Sequence, residues 1–137
     1  MEYTGYFDGS ITKNPHGDMT IGGLVYEVEN GTRKLIYEFS DKLPATEFNY
    51  ETSNNVAEAL ALSKLLSYFE LENIFTDKIS IFGDSRIVIN RAYSNRAGHG
   101  MFAPYVEQVK EQMKMFHRLK IKWVPREQNT EADLLTK

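Results

Sequence analysis

The spacing of apolar and polar residues divides the chain into alternating short strands and helices. "YTGYFDGS" (3–10) reads as a buried strand ending at a Gly-Ser turn, and "KNPHGD" (13–18) carries turn residues throughout. "MTIGGLVYEVE" and "RKLIYEFSD" flank "NGT" at Asn30, where Asn-Gly favours a primed hairpin turn. Together they predict a three-stranded antiparallel meander. After a polar loop, "SNNVAEALALSKLLSYFE" places Val56, Leu60, Leu65 and Phe69 at helical spacing, with Ser53, Asn54 or Asn55 available to cap the start. "DKISIFGDS" is a second buried strand, followed by a short helix, "RIVINRAYS". "RAGHGM" breaks the chain before a helix over "APYVEQVKEQMKMFHRL", with Pro104 in its first turn. "KIKWV" forms the last strand, and "WVPREQNTEAD" leads through a proline and a polar turn into a final short helix.

This order implies a mixed α/β sheet, antiparallel on one side and parallel on the other, with helices on its faces. In parallel units, ligands collect at the carboxyl ends of strands. Asp8 and Asp84 occupy such ends, Glu58 lies one turn inside the first long helix beside Ala57, Ala59 and Ala61, and Asp133 lies in the first turns of the last helix. If the first, fourth and fifth strands are neighbours, the four carboxylates converge. Two carboxylates about 4 Å apart repel by roughly 4 kcal/mol at an effective dielectric near 20, so such a cluster either protonates or recruits cations. Taken singly, Asp8 and Asp84 also read as turn residues, and Glu58 and Asp133 as acids favoured at helix N-termini.

Composition narrows the chemistry. The chain has 137 residues, 42% of them hydrophobic, which fits one globular domain spanning residues 1–137. It has no cysteine, so a metal must be held by oxygen or histidine, and oxygen ligands favour magnesium or manganese. The expectation is a soluble, intracellular, cytoplasmic protein with no membrane partner, and a monomer. The net charge of −3 conceals a split. Residues 85–126 hold nine Lys/Arg against two Asp/Glu, a candidate phosphate-facing region whose alternative is an ordinary solvated face. The stripe Tyr105, Val106, Val109, Met113 and Phe116 reads as core, Trp123 as buried, and Gly22-Gly23 as a bulge or close approach with room for substrate. His99 and His117 read as structural or surface residues.

"YFDGSITKNPHG", "TSNNVAEALALSKLL", "IFGDSRIVIN" and "WVPREQNTEAD" occur in the order and near the spacing of type 1 ribonuclease H, a resemblance covering nearly the whole chain. It implies a five-stranded mixed sheet flanked by helices. It also implies hydrolysis of the RNA strand of an RNA/DNA hybrid, leaving 5'-phosphate and 3'-hydroxyl ends, with two Mg²⁺ ions (Mn²⁺ a substitute) held by Asp8, Glu58, Asp84 and Asp133. By the same resemblance Asp8 bridges both ions, Glu58 and Asp84 serve the ion at the leaving oxygen, and Asp133 serves the ion at the attacking water. Gly9, Ser10, Asn14, Ser53, Asn54 and Asn55 match positions that touch nucleic acid, Ser53 a DNA phosphate. Asn14, Ser53 and Asn54 equally suit turn and cap roles.

The sequence departs from the family's bacterial pattern in three places. The loop before Asp133 lacks the usual histidine, leaving Arg126, Glu127 or Gln128 to take its place, as in compact members with a Pro-Arg-Glu turn. The basic protrusion between the middle helices is missing, and the last helix is short. The alternatives are a non-catalytic module of the same fold binding hybrids or double-stranded RNA, or another nuclease of this superfamily. Double-stranded RNA is a further candidate substrate.

Overall fold

The structure is a computed structural model describing residues 1–96 and 98–137. Five strands form one sheet in the order β3-β2-β1-β4-β5: β1 (Glu2–Ile11), β2 (Met19–Glu29), β3 (Thr32–Leu43), β4 (Lys78–Gly83) and β5 (Arg118–Trp123). β1, β2 and β3 pair antiparallel, while β1–β4 and β4–β5 pair parallel, as the sequence order implied. The β2–β3 turn is Asn30-Gly31, both at positive φ (52° and 77°), the conformation a two-residue primed hairpin requires.

The helices are α1 (Asn54–Leu71), α2 (Arg86–Ala92), α3 (Ala103–Met113) and α4 (Thr130–Leu134), with short 3-10 turns at Ala45–Phe48 and Arg126–Gln128. α1 begins where the Ser53 hydroxyl accepts from the Val56 N–H, and α2 where Ser85 does the same for Val88. α1 is buried over a wide arc because the sheet lies on one side and α3 on the other. Between the two helices, the Ser63 hydroxyl donates to Gln112 Oε1 (2.7 Å), and Gln112 Nε2 donates to Ser67 Oγ and Glu70 Oε1. These bonds satisfy a polar group that would otherwise be costly inside the core. Phe7, Leu62, Leu65, Phe69, Ile79 and Ile81 are fully enclosed between sheet and helices. Part of the break expected over "RAGHGM", Ala97, lies outside the described residues.

Three expectations need correction. α3 ends at Met113 rather than near Leu119, because Phe116 turns inward against Phe69 and Phe75 and Arg118 already pairs with Lys78 in the parallel ladder. Trp123 is 39% exposed rather than buried, since β5 is an edge strand that the seven-residue α2 does not fully cover. Gly22-Gly23 does permit close approach, but protein fills the space: a Cβ on Gly22 would lie 2.7 Å from Leu135 Cβ, and one on Gly23 2.5 Å from the Phe39 ring. No room remains there for substrate.

Candidate active site

The parallel ladder of β1 with β4 ends at Tyr6 and Phe82; Asp8, still paired with Gly22 of β2, and Asp84, just past β4, each stand two residues beyond that last pair, at one end of the ladder. Glu58 arrives from α1. The helix lies close enough only because position 9 lacks a side chain: a Cβ there would stand 2.5 Å from the Ala57 carbonyl carbon and 2.6 Å from the Glu58 nitrogen. Gly9 thus serves helix packing as well as lining the cleft with its backbone.

Carboxylate oxygens of Asp8, Glu58 and Asp84 lie within 4.8 Å of one another. Asp133 is not within that mutual distance of all three, but it adjoins Asp8 and lines the same cavity of about 410 Å³, together with Gly9, Ser10, Ile11, Asn54 and Arg126. Its carboxylate faces Lys137 Nζ at 3.2 Å and Arg126 Nη2 at 3.7 Å.

Burial of like charges sets the electrostatics. Asp8 is 5% exposed; burial first, then the charges of Asp84 and Asp133, push its carboxyl up to about 6, although a hydrogen bond with Glu58 works the other way. Glu58, 2% exposed, is raised well above the ordinary glutamate range by burial and by Asp8. Asp84 is raised by burial, with Asn129 and Arg126 opposing the rise. For Asp133 burial also pushes upward, but the Lys137 ammonium, a hydrogen bond with Asp8 and the charge of Arg126 outweigh it and hold the group below the ordinary aspartate range. Glu58 Oε2 is buried with no hydrogen-bond partner among the described residues. A hard divalent cation fits this donor set: three converging oxygens, one of them orphaned, with no sulfur or imidazole at the site.

The expected nucleic-acid contacts divide. Ser10 and Asn54 line the cavity, with the Ser10 hydroxyl donating to the Thr136 carbonyl at 2.9 Å. Asn14 Oδ1 accepts from the Asn54 N–H (3.1 Å), and Ser53 caps α1, so both shape the helix start. Asn55 is half-buried on the first turn of α1 and does not line the cavity. Arg126 supplies the cation on the cleft wall. His99 and His117 are both exposed and lie outside the cavity.

Sequence reasoning missed Asn129. Its side chain is 1% exposed, and Nδ2 donates to the Phe7 carbonyl at 2.9 Å; its amide also hydrogen-bonds Asp84, and its carbonyl accepts the Asp133 N–H at 3.1 Å. One residue therefore ties together the segments bearing Asp8, Asp84 and Asp133. Its place four residues before Asp133, at the N-cap, was the available signal.

Known proteins place this arrangement in context. The family described as reverse transcriptase-like matches residues 7–137. EbsB of Enterococcus faecalis (strain ATCC 700802 / V583), named as a candidate hydrolase, is 26% identical over 132 residues, 96% of this chain and 89% of its own. RNase H1 from the halophilic archaeon Halobacterium salinarum NRC-1 superposes with a TM-score of 0.81 at 26% identity, covering 99% of this chain and 95% of that one. The N-terminal RNase H domain of Rv2228c from Mycobacterium tuberculosis, solved as a fusion with maltose-binding protein, gives 0.81 at 23% identity over 98% and 90% of the two chains. LC11-RNase H1, solved in complex with an RNA/DNA hybrid, gives 0.79 at 23% identity over 98% and 93%. With a family match across nearly its whole length and the five-stranded fold of these structures, the chain belongs to the reverse transcriptase-like, ribonuclease H family.

Proposed function

We propose that the chain is an endoribonuclease that hydrolyses the RNA strand of RNA/DNA hybrids with two Mg²⁺ ions, leaving 5'-phosphate and 3'-hydroxyl ends. The observation that carries the reading is the buried trio Asp8, Glu58 and Asp84, whose mutual repulsion and orphaned Glu58 oxygen call for cations. Asp8, Glu58 and Asp84 would hold them, together with Asp133, which lines the same cavity. Bound divalent ions supply Lewis-acid charge that makes water a nucleophile near neutral pH and offsets charge on the leaving oxygen.

The protein's own residues orient and select. Asn129 holds the Asp84 and Asp133 segments against β1, so the carboxylates keep their spacing as substrate enters. Arg126 presents a cation to a phosphate of the strand in the cleft. Asn54 and the β1 backbone at Gly9 and Ser10 offer polar contacts to sugar edges, which suits recognition by groove shape and 2'-hydroxyl rather than by sequence. LC11-RNase H1, whose structure includes an RNA/DNA hybrid, shares the fold and supports this choice of substrate.

The test is end-group analysis of products from a labelled hybrid. Mg²⁺-dependent fragments with 5'-phosphates, lost in Asp84→Asn, are expected; fragments with 3'-phosphates, or undiminished cleavage by Asp84→Asn, would overturn the reading.

A further inference from the structure

The two faces of the sheet are unequally covered. α1 packs on the side to which Gly5 and Gly9 point, while α4 packs on the opposite side, mainly against β1 and β2, with Glu131 reaching Arg33 of β3. On that second side no helix packs on β4 or β5 among the described residues. The ladder registers place Tyr6, Phe82 and Lys122 in one row, and Thr4, Ser80 and Lys120 in the next. The Tyr6 and Phe82 rings stack at 5.5 Å and are half-buried.

Along the outer strand, Arg118, Lys120 and Lys122 alternate with Leu119 and Ile121, so all three point to this same side and all are exposed. At about 3.3 Å per residue the cations stand roughly 6.6 Å apart, a straight track some 13 Å long. Among the described residues none has a carboxylate partner within 4 Å, unlike Lys110 and Lys114 on α3, which pair with Glu107 and Glu111. At the far end a cavity of about 430 Å³ is lined by Lys78, Ser80, His117, Arg118 and Lys120, with no acidic residue in its wall. At the near end β5 runs into the segment that carries Arg126 to the catalytic cleft.

Lysines on an edge strand also discourage edge-to-edge pairing. That role does not require three cations on one side, an acid-free cavity beneath them, or an adjoining half-buried aromatic pair. Unpaired positive charge beside flat rings is complementary to a strand whose phosphates are regularly spaced and whose bases are free to stack. A duplex presents no base faces to such a surface.

We propose that the open β4–β5 face, with Arg118, Lys120 and Lys122 as phosphate contacts and Phe82 and Tyr6 as a stacking platform, binds single-stranded nucleic acid, such as an unpaired extension of a hybrid held in the cleft. The surface is separate from the carboxylates, so it is testable without cleavage.

The experiment measures fluorescence anisotropy of a labelled oligo(U) of about 12 nucleotides, and of a blunt RNA/DNA hybrid of equal length, in EDTA at several salt concentrations. Wild type is expected to bind the single strand saturably at low salt. Arg118→Ala/Lys120→Ala/Lys122→Ala should weaken that binding at least roughly tenfold and reduce the slope of log K against log salt by about 2, for three lost phosphate contacts. Phe82→Leu should weaken it about fivefold with the slope unchanged, since stacking is not ionic. Thermal melts confirm that both variants fold. Absence of single-strand binding by wild type, equal binding by the triple variant, or an equal loss on the blunt hybrid would each overturn the assignment.

Discussion

Replacing Asp8 by asparagine should destroy catalysis and stabilise the metal-free protein at the same time. Burial and neighbouring charge lift the Asp8 carboxyl from 3.8 to about 6. A raised acid means the native state holds its proton more tightly than the unfolded chain, so native stability falls as pH climbs from about 4 to about 6 and stays lost above. At about 1.4 kcal/mol per pH unit, the penalty near pH 7.5 is about 3 kcal/mol, and a neutral amide removes it. Removing the Asp8 charge also relieves Glu58, for which Asp8 is the main charged neighbour. For a domain of this size, 3 kcal/mol corresponds to a Tm increase on the order of 10 °C. Calorimetry in EDTA at pH 7.5 and pH 4 measures it. The variant should melt higher at pH 7.5, the gap should close near pH 4, and Mg²⁺ should raise the wild-type Tm far more than the variant's. Equal melting at pH 7.5, or a gap that widens toward low pH, would refute the claim that burial and neighbouring charge penalise the ionised Asp8 carboxylate in the folded state.

Further outcomes follow from neighbouring contacts. Gly9→Ala should cost about 3 kcal/mol or abolish soluble expression, because its methyl group would meet α1 backbone at 2.5 Å; denaturant unfolding checks this. Asn129→Ala should cost about 2 kcal/mol by leaving the Phe7 carbonyl unpaired, and should raise the Mg²⁺ concentration needed for half-maximal activity more than it changes KM for hybrid. Lys137→Ala frees Asp133 from its ammonium partner, so half-saturation by Mg²⁺ should fall about twofold to threefold, a direction set by simple competition between cations.

The strands and α1 were readable because their information is local. Asn30-Gly31 specifies its turn by backbone preference alone, and Ser53 caps α1 with its own hydroxyl. The convergence of Asp8, Glu58 and Asp84 was readable one step further, since strand ends in parallel units meet by topology. What escaped depends on distant partners. The helical pattern continues past Met113, yet pairing of Arg118 with Lys78, forty residues away in sequence, ends it. Trp123 carries the signature of a core residue, but its indole Nε1–H donates to the Asp84 carbonyl at 3.2 Å and the Arg86 guanidinium covers its face at 3.9 Å. The role of Asn129 was not legible because its partner, the Phe7 carbonyl, lies 122 positions upstream. The pairing of Asp133 with Lys137 was equally hidden, as it turns on where the last residues fold back.

Cleavage of four matched substrates, RNA/DNA hybrid, duplex RNA, duplex DNA and single-stranded RNA, with and without Mg²⁺ or Mn²⁺, tests the proposed activity most sharply. Wild type is expected to cut the RNA strand of the hybrid in a metal-dependent manner, and folded Asp8→Asn is expected not to cut it. Wild-type protein that leaves the hybrid intact at every metal concentration, or an Asp8→Asn variant that cuts it as fast as wild type, would contradict the proposal.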